Sequence, residues 1–463
     1  VSRLTLLAGK FVAVLVVALL TASVNMLSMF ATLFTLGLDQ AILGGSGLRI
    51  IPLVMLMMVV FAGFFSAVLL GITSIARSFK EAQAYLIPLM LVSLTPGVFS
   101  LMPDLQMGPL LAATPLVNIV LTGRDLLQGQ FNLLMFTIVI LCTTFSGVTA
   151  LAVAARNFGS DSVLYGSTGS WSALLRPAGR QAKSPASSVA VAMFSLAIVF
   201  PMFIVIGTIP SRLGQAFGLD LSLILMLTIV VFLVVFVAVP LVMLRLTHVS
   251  MTSGLALNPR VPPVSLLAAV LFGISMWAVL YELNLLTGIA SRTEELSRIM
   301  KSLVDELQQT PLAIKLAALA FAPALCEELF FRGFLQTSLR QRLSAPVAIL
   351  ASATLFGLFH IVVRDQLFLE RLIPSTLMGI ILGLLLERSG SLFPGMLLHA
   401  VHNGLLICVA HYQTQLEQLG IGLEQRLHLP AGWLIPTFAL AGTAALLLWM
   451  TQPLSPPADP AER

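Results

Sequence analysis

Charge is scarce in this chain: 10% of its 463 residues are Asp, Glu, Lys or Arg while 58% are hydrophobic, against about a quarter charged in an ordinary soluble domain. A water-soluble surface cannot be assembled from that composition. Cysteine is also scarce, and Cys142, Cys326 and Cys408 lie inside apolar segments with no short pair spacing, which excludes a disulfide framework and a thiolate zinc site. No GxxxxGK[ST] occurs, so the chain carries no phosphate-cradling loop of that kind. Runs of basic residues are absent too. The net charge of +5 and the pI near 9.4 come from residues scattered between apolar stretches, which excludes a nucleic-acid partner and is the orientation signal of a membrane protein. No small-residue cleavage site marks a removable signal peptide near the start. The chain opens with Val1 and soon enters an apolar segment, and a further segment upstream is expected.

What is present is apolar length. The mean hydropathy is +1.00, and stretches long enough to cross a bilayer, about 20 residues each, recur about twelve times. They run from Phe11 to Leu36, Ile50 to Ile75, Tyr85 to Leu101 and Asn132 to Ala155, with a stretch from Leu110 to Leu121 that is too short to span. Eight more follow: Val189 to Ile209, Leu221 to Leu244, Val264 to Leu283, Leu312 to Leu335, Ala345 to Val363, Leu372 to Leu386, Leu392 to His411 and Gly432 to Met450. The fold class is therefore all-α and polytopic, with the lipid bilayer as solvent. Between the two sets, residues 157–188 are rich in Gly, Ser and Pro and carry Arg176, Arg180 and Lys183, which reads as a polar linker. The expected organisation is a membrane region at 1–156, the linker, a second membrane domain at 189–452 and a disordered Pro-rich tail at 453–463. Alternating the loops collects Arg3, Lys10, Arg77, Lys80, Arg156, Arg176, Arg180, Lys183, Arg245, Arg260, Arg340, Arg342 and Arg388 on one side, which the positive-inside rule makes cytoplasmic. Ser291 to Gln309 reads as an amphipathic helix behind a Ser291 to Glu294 capping box. With its charges nearly balanced, it suits a surface helix resting on the bundle or the interface.

The stretch Leu312 to Leu335 would be an ordinary spanning helix but for Glu327, Glu328 and Arg332. Three charged residues near a helix centre cost roughly 8 to 10 kcal/mol before pairing. Glu328 and Arg332, four apart, share a face and can pair, whereas Glu327 projects about 100° away and needs a partner on another helix. Pro323, one turn earlier, frees the Leu319 carbonyl and kinks the helix. Partners are available in two later stretches, where Phe356 and His360 share one face and His399 and Asn403 share another. His402 points elsewhere. A buried carboxylate beside an imidazole suits proton abstraction from water, and a second imidazole with a carboxamide suits an oxyanion. Any one of these residues could equally tie helices together by hydrogen bonding; six polar residues on three helices of one domain favour chemistry. His248, His411 and His428 lie in or beside loops and read as solvated, and Cys326 reads as packing.

These residues carry a resemblance. Glu327-Glu328-Leu329-Phe330-Phe331-Arg332 is similar to the EExxxR motif, Phe356 to His360 to FxxxH, and His399 to Asn403 to HxxxN of the CAAX prenyl protease and bacteriocin-processing (CPBP) intramembrane proteases, in the family's order and within an eight-helix unit like its bundle. The resemblance implies that Glu327 and His360 activate water, that His399 and Asn403 form an oxyanion hole, and that Glu328, Arg332 and Phe356 position the site. It implies no cofactor, and as substrate a membrane-associated peptide or protein. A metal-dependent protease would use the same glutamates and histidines differently. HExxH is absent, Asn403 is a poor zinc ligand, and Arg332 repels a divalent cation, so hydrolysis without a metal is expected.

The first four spans look different. Ala76 to Tyr85 followed by Pro88, together with Thr114-Pro115-Leu116-Val117-Asn118, resembles the C-terminal part of ABC-2 type export permeases of the sodium-extrusion kind. That implies a separate ATP-binding cassette subunit and a bacterial cytoplasmic membrane. The competing reading is an export permease subunit whose protease-like half binds a peptide, or confers immunity, without cutting.

Overall fold

The structure, a computed structural model, describes residues 3–35, 37, 50–75, 106–157, 186–286, 309–363, 366–367, 369–418 and 428–452, with scattered positions between 82 and 100. Residues 158–185 of the linker, the amphipathic helix expected up to Gln309 (its last residue aside), the tail, and most of the span expected at Tyr85 to Leu101 lie outside the described residues. Where described, the chain is all-α apart from one antiparallel pairing of two residues with two, Val362–Val363 with Gln366–Leu367. Nine of the described helices are long and apolar enough to cross a membrane. This is an integral membrane protein. A helix satisfies its own backbone in hydrocarbon, which offers no water to do so. Two of the remaining expected spans are also helical: Ala345–Ile361, which is shorter, and a continuous helical run over 312–339.

The chain forms two compact units, one from Val1–Pro177 with Met193–Val205 and the other from Ala178–Ala192 with Ile206–Arg463. In the first, helices Ile51–Ile75 and Leu133–Asn157 cross closely at Gly147, where a Cβ would lie 3.2 Å from the Phe64 Cα. Small residues permit such approaches in lipid, where apolar contact alone gives little preference for a neighbour. The helix Val189–Ile206, assigned from sequence to the second domain, packs its middle here: Phe200 meets Phe145 edge-on at 4.9 Å, and Thr149 Oγ1 donates to the Met193 carbonyl at 2.8 Å. The short apolar stretch is two helices, Pro109–Ala113 and Val117–Leu127, rather than one. Pro115 supplies no N–H at the break, and Leu116 takes a φ of 74°. Asn118 closes the gap by donating to the Ala112 carbonyl and accepting from the Ile119 N–H.

In the second unit, helices Pro263–Leu286, Leu372–Ser389, Phe393–His411 and Ala431–Met450 enclose an apolar core that includes Phe272, Met276, Leu382, Leu398 and Leu448. Glu282 accepts from His428 Nδ1 and from the Leu429 N–H, which fixes the start of the last helix. Two further helices have π-type turns. In Leu221–Leu246 the wide turns span Leu233–Ala238, and in the 312–339 helix they span Ala317–Phe321 and Leu329–Gln336. Pro240 follows the first and Pro323 the second by two residues. Each proline lacks the N–H that would bond the carbonyl four residues back and crowds that carbonyl, and a wider turn relieves both defects. Nothing in the local sequence marks the third. Phe236, in the first wide turn, lies 6.0 Å from each of Phe330, Phe331 and Phe359, and the four form a buried aromatic cluster.

Candidate active site

Glu327 and Glu328 close the α-helical stretch Ala322–Glu328, and Arg332 lies in the wide-turned stretch that follows. The pairing expected from four-residue spacing is present: Arg332 Nη1 donates to Glu328 Oε1 at 2.9 Å, and both side chains are fully buried. The same oxygen accepts from His399 Nδ1 at 3.2 Å. Glu328 therefore joins its own helix to Phe393–His411, a tie that sequence spacing alone does not show. Glu327, on the next face, finds its partner on the Ala345–Ile361 helix, where His360 Nε2 lies 3.7 Å from Glu327 Oε2. That exceeds a direct hydrogen bond.

Phe356 sits among these groups. The Arg332 guanidinium carbon lies 4.1 Å from its ring centre, within cation–π range. Its ring centre is 4.3 Å from that of His360, and it meets His399 edge-on at 6.0 Å. The Phe356 backbone contributes as well, because its carbonyl accepts from His360 Nδ1 at 2.9 Å. A carbonyl can only accept, so the proton of neutral His360 is on Nδ1 and Nε2 turns a lone pair toward Glu327. Asn403 Nδ2 donates to the Leu319 carbonyl at 3.3 Å, the carbonyl that Pro323 deprives of its usual donor. The amide's second N–H is not used in that bond. All seven residues singled out from sequence thus lie on three helices of one unit, and four of them form two carboxylate–imidazole pairs.

Burial decides how the groups differ. Glu328 and Arg332 have no exposure, His399 is 4% exposed and Glu327 7%, whereas the His360 side chain is 26% exposed. The site opens on the His360 side. Cys326 is buried beside Glu327, as packing requires. Two of the three histidines read as solvated have partners: His428 bonds Glu282, and His411 bonds Lys315. His248 occupies a turn with a φ of 55°. Among the described residues no group of three or more His, Cys, Asp or Glu is disposed to hold a metal ion.

Sequence reading passed over the glycines that let the helices close on the site. A Cβ on Gly357 would overlap Thr376 Oγ1 and lie 3.0 Å from the Leu372 carbonyl; one on Gly379 would lie 2.9 Å from the Ala353 Cα and 3.0 Å from Arg332 Nη2; one on Gly383 would lie 2.8 Å from Gln336 Oε1. Their signal was available, since the three lie inside helices, where glycine is disfavoured. Gly379→Ala is accordingly expected to cost about 1–3 kcal/mol by overpacking. Gly442→Ala, where nothing lies within 4 Å, should be neutral or slightly stabilising. Thermal unfolding of the two variants in detergent distinguishes them, and equal midpoints would contradict the close packing. Gln336 was also passed over: it continues the Glu328 and Arg332 face, and its amide donates to the Gly383 carbonyl at 3.2 Å and to Glu387 at 3.4 Å. Glu387 also pairs with Arg340 at 3.0 Å.

Residues 309–405, which contain all seven site residues, match the Rce1-like family, described as Type II CAAX prenyl endopeptidase Rce1-like. This segment is similar to a CAAX-type intramembrane protease. No curated protein and no solved structure matches the chain.

Proposed function

We propose that the second unit is an intramembrane endopeptidase that hydrolyses a peptide bond with water activated by Glu327 and His360. The observation that carries this reading is the geometry of that pair: a carboxylate oxygen and an imidazole lone pair, 3.7 Å apart, at the exposed edge of an otherwise buried polar cluster. Both are acceptors, and a water between them can donate to both. As its oxygen bonds to the scissile carbonyl carbon, one proton passes to the Glu327 and His360 pair. The carbonyl oxygen becomes an oxyanion. When the carbon–nitrogen bond breaks, the proton is returned to the leaving amine.

The second imidazole has a different task. His399 commits Nδ1–H to Glu328, so its Nε2 carries a proton only when the ring is an imidazolium. A charged donor suits an oxyanion better than a neutral one, and the buried Glu328 carboxylate compensates that charge. The spare N–H of Asn403 is the second donor. Arg332, held by Glu328 and stacked on Phe356, keeps the carboxylate in place.

The family match points to substrates of the CAAX prenyl class, and the membrane setting to a peptide that reaches the site from the bilayer. The clustering of basic loops supports a cytoplasmic placement of the Arg340, Arg342 and Arg388 end, and the chain is assigned to a bacterial cytoplasmic membrane. Residues 1–156 are read as a permease-like region, on the motif resemblance alone. The test is cleavage of an internally quenched farnesylated CAAX peptide by the full chain in proteoliposomes, alongside a comparison of peptides released from membranes containing wild-type or Glu327→Ala protein. Cleavage by the wild type alone is expected, and it should persist after exhaustive chelation. Identical peptide sets from the two membranes would reject the proposal; loss of activity on chelation, restored by zinc, would replace the water mechanism with a metal one.

A further inference from the structure

Two helices carry separate halves of the site, the 312–339 helix with Glu327 and Glu328 and the Phe393–His411 helix with His399 and Asn403. Among the described residues, hydrogen bonds join them at three places. Glu328 to His399 and the Leu319 carbonyl to Asn403 belong to the site. The third lies outside it: Lys315 Nζ stands 2.7 Å from His411 Nδ1.

Lys315 occupies an expensive position. It is 3% exposed, in the first turn of its helix, where the helix dipole opposes a cation. A methionine or leucine would pack there without desolvating a charge. Its ammonium instead reaches the last turn of Phe393–His411, where a cation complements the dipole and the terminal carbonyls. An ammonium has only protons to offer, so His411 accepts at Nδ1 as a neutral imidazole. An ionisable residue kept within an apolar helix at such a cost points to a function shared with its partner.

We propose that Lys315 and His411 are a positioning pair for peptide hydrolysis, fixing the axial register of the two helices so that His399 and Asn403 stay aligned with Glu327 and Glu328. This rests on the reading of the site given above. The hydrogen bonds of Glu328 to His399 and of Leu319 to Asn403 do not reach the final two turns of Phe393–His411. Lys315 to His411 closes that end. Displacements of about 1 Å at reacting groups cost about 100-fold in rate, so a fraction of that displacement is enough to be measured.

The experiment uses the full chain in proteoliposomes and the quenched farnesylated CAAX peptide. Lys315→Met and His411→Phe are each expected to lower kcat about tenfold with KM within about twofold, and the double variant to be no slower than either, as for residues acting as a unit. Lys315→Arg keeps the donor and His411→Gln an acceptor, and both should retain kcat within about threefold. Wild-type kcat in Lys315→Met, or a loss wholly explained by a smaller folded fraction, would overturn the positioning role, provided Glu327→Gln is inactive in the same assay. Full activity in Glu327→Gln would overturn the reading of the site instead.

Discussion

Replacing Glu327 by Gln is expected to lower kcat at least about 100-fold, and His360→Ala to do the same, because loss of a general base or its partner removes about 10²–10⁴ in rate. Neither change should cost much stability. Glu327 Oε2 makes no hydrogen bond within the described residues, and its contact with His360 is longer than a direct bond. Gln preserves the shape of Glu and lacks only the basic oxygen. The measurement is single-turnover cleavage by detergent-purified variants whose melting temperatures are recorded in parallel. Wild-type rates in either one would remove the water-activating assignment.

Glu328→Ala is expected to fail differently, through folding. Both Arg332 and His399 donate to one oxygen of this fully buried carboxylate. Its removal strands the guanidinium at a site with no exposure. Breaking a buried pair from one side costs about 3–5 kcal/mol, mostly for the charge left behind. Removing both charges, with Glu328→Gln and Arg332→Met together, should recover part of that loss even though His399 then faces an amide. Equal destabilisation of the single and double variants would show that Glu328 and Arg332 do not act as a pair. The contrast between the neighbouring glutamates is the useful result: Glu327 is expendable for stability and needed for rate, whereas loss of Glu328 is felt first in the fold.

Several of these relations were legible in the sequence because they are local. The Glu328 and Arg332 pair follows from a spacing of four, the shared face of Phe356 and His360 likewise, and the freed Leu319 carbonyl from Pro323. What could not be read was which distant group meets which local one. Asn403 bonds that carbonyl, His399 reaches Glu328, and Lys315 reaches His411, each contact joining residues more than 70 positions apart. Such contacts depend on how far each helix slides along its neighbour, and hydrophobic periodicity says little about sliding when every face is apolar. The glycines escaped for a related reason, since a residue without a side chain becomes informative only when the atoms opposite it are known. The broken helix at 109–127 was missed as two pieces because its apolar content is continuous across Pro115.

The wide turns over Leu329–Gln336 have a consequence for how this chain tolerates length changes. A π-type turn holds more residues than an α-helical one, so this stretch carries a surplus within the span. Deleting one residue there would not break the helix; it would let the turns tighten. With the surplus taken up in this way, the far side would keep its facing, so Gln336 and Arg340 would still meet Glu387 while Glu327 and Glu328 stayed in place. Between Glu328 and Gln336, one residue less is therefore taken up by the turns, whereas one residue more would rotate the far side by about 100°.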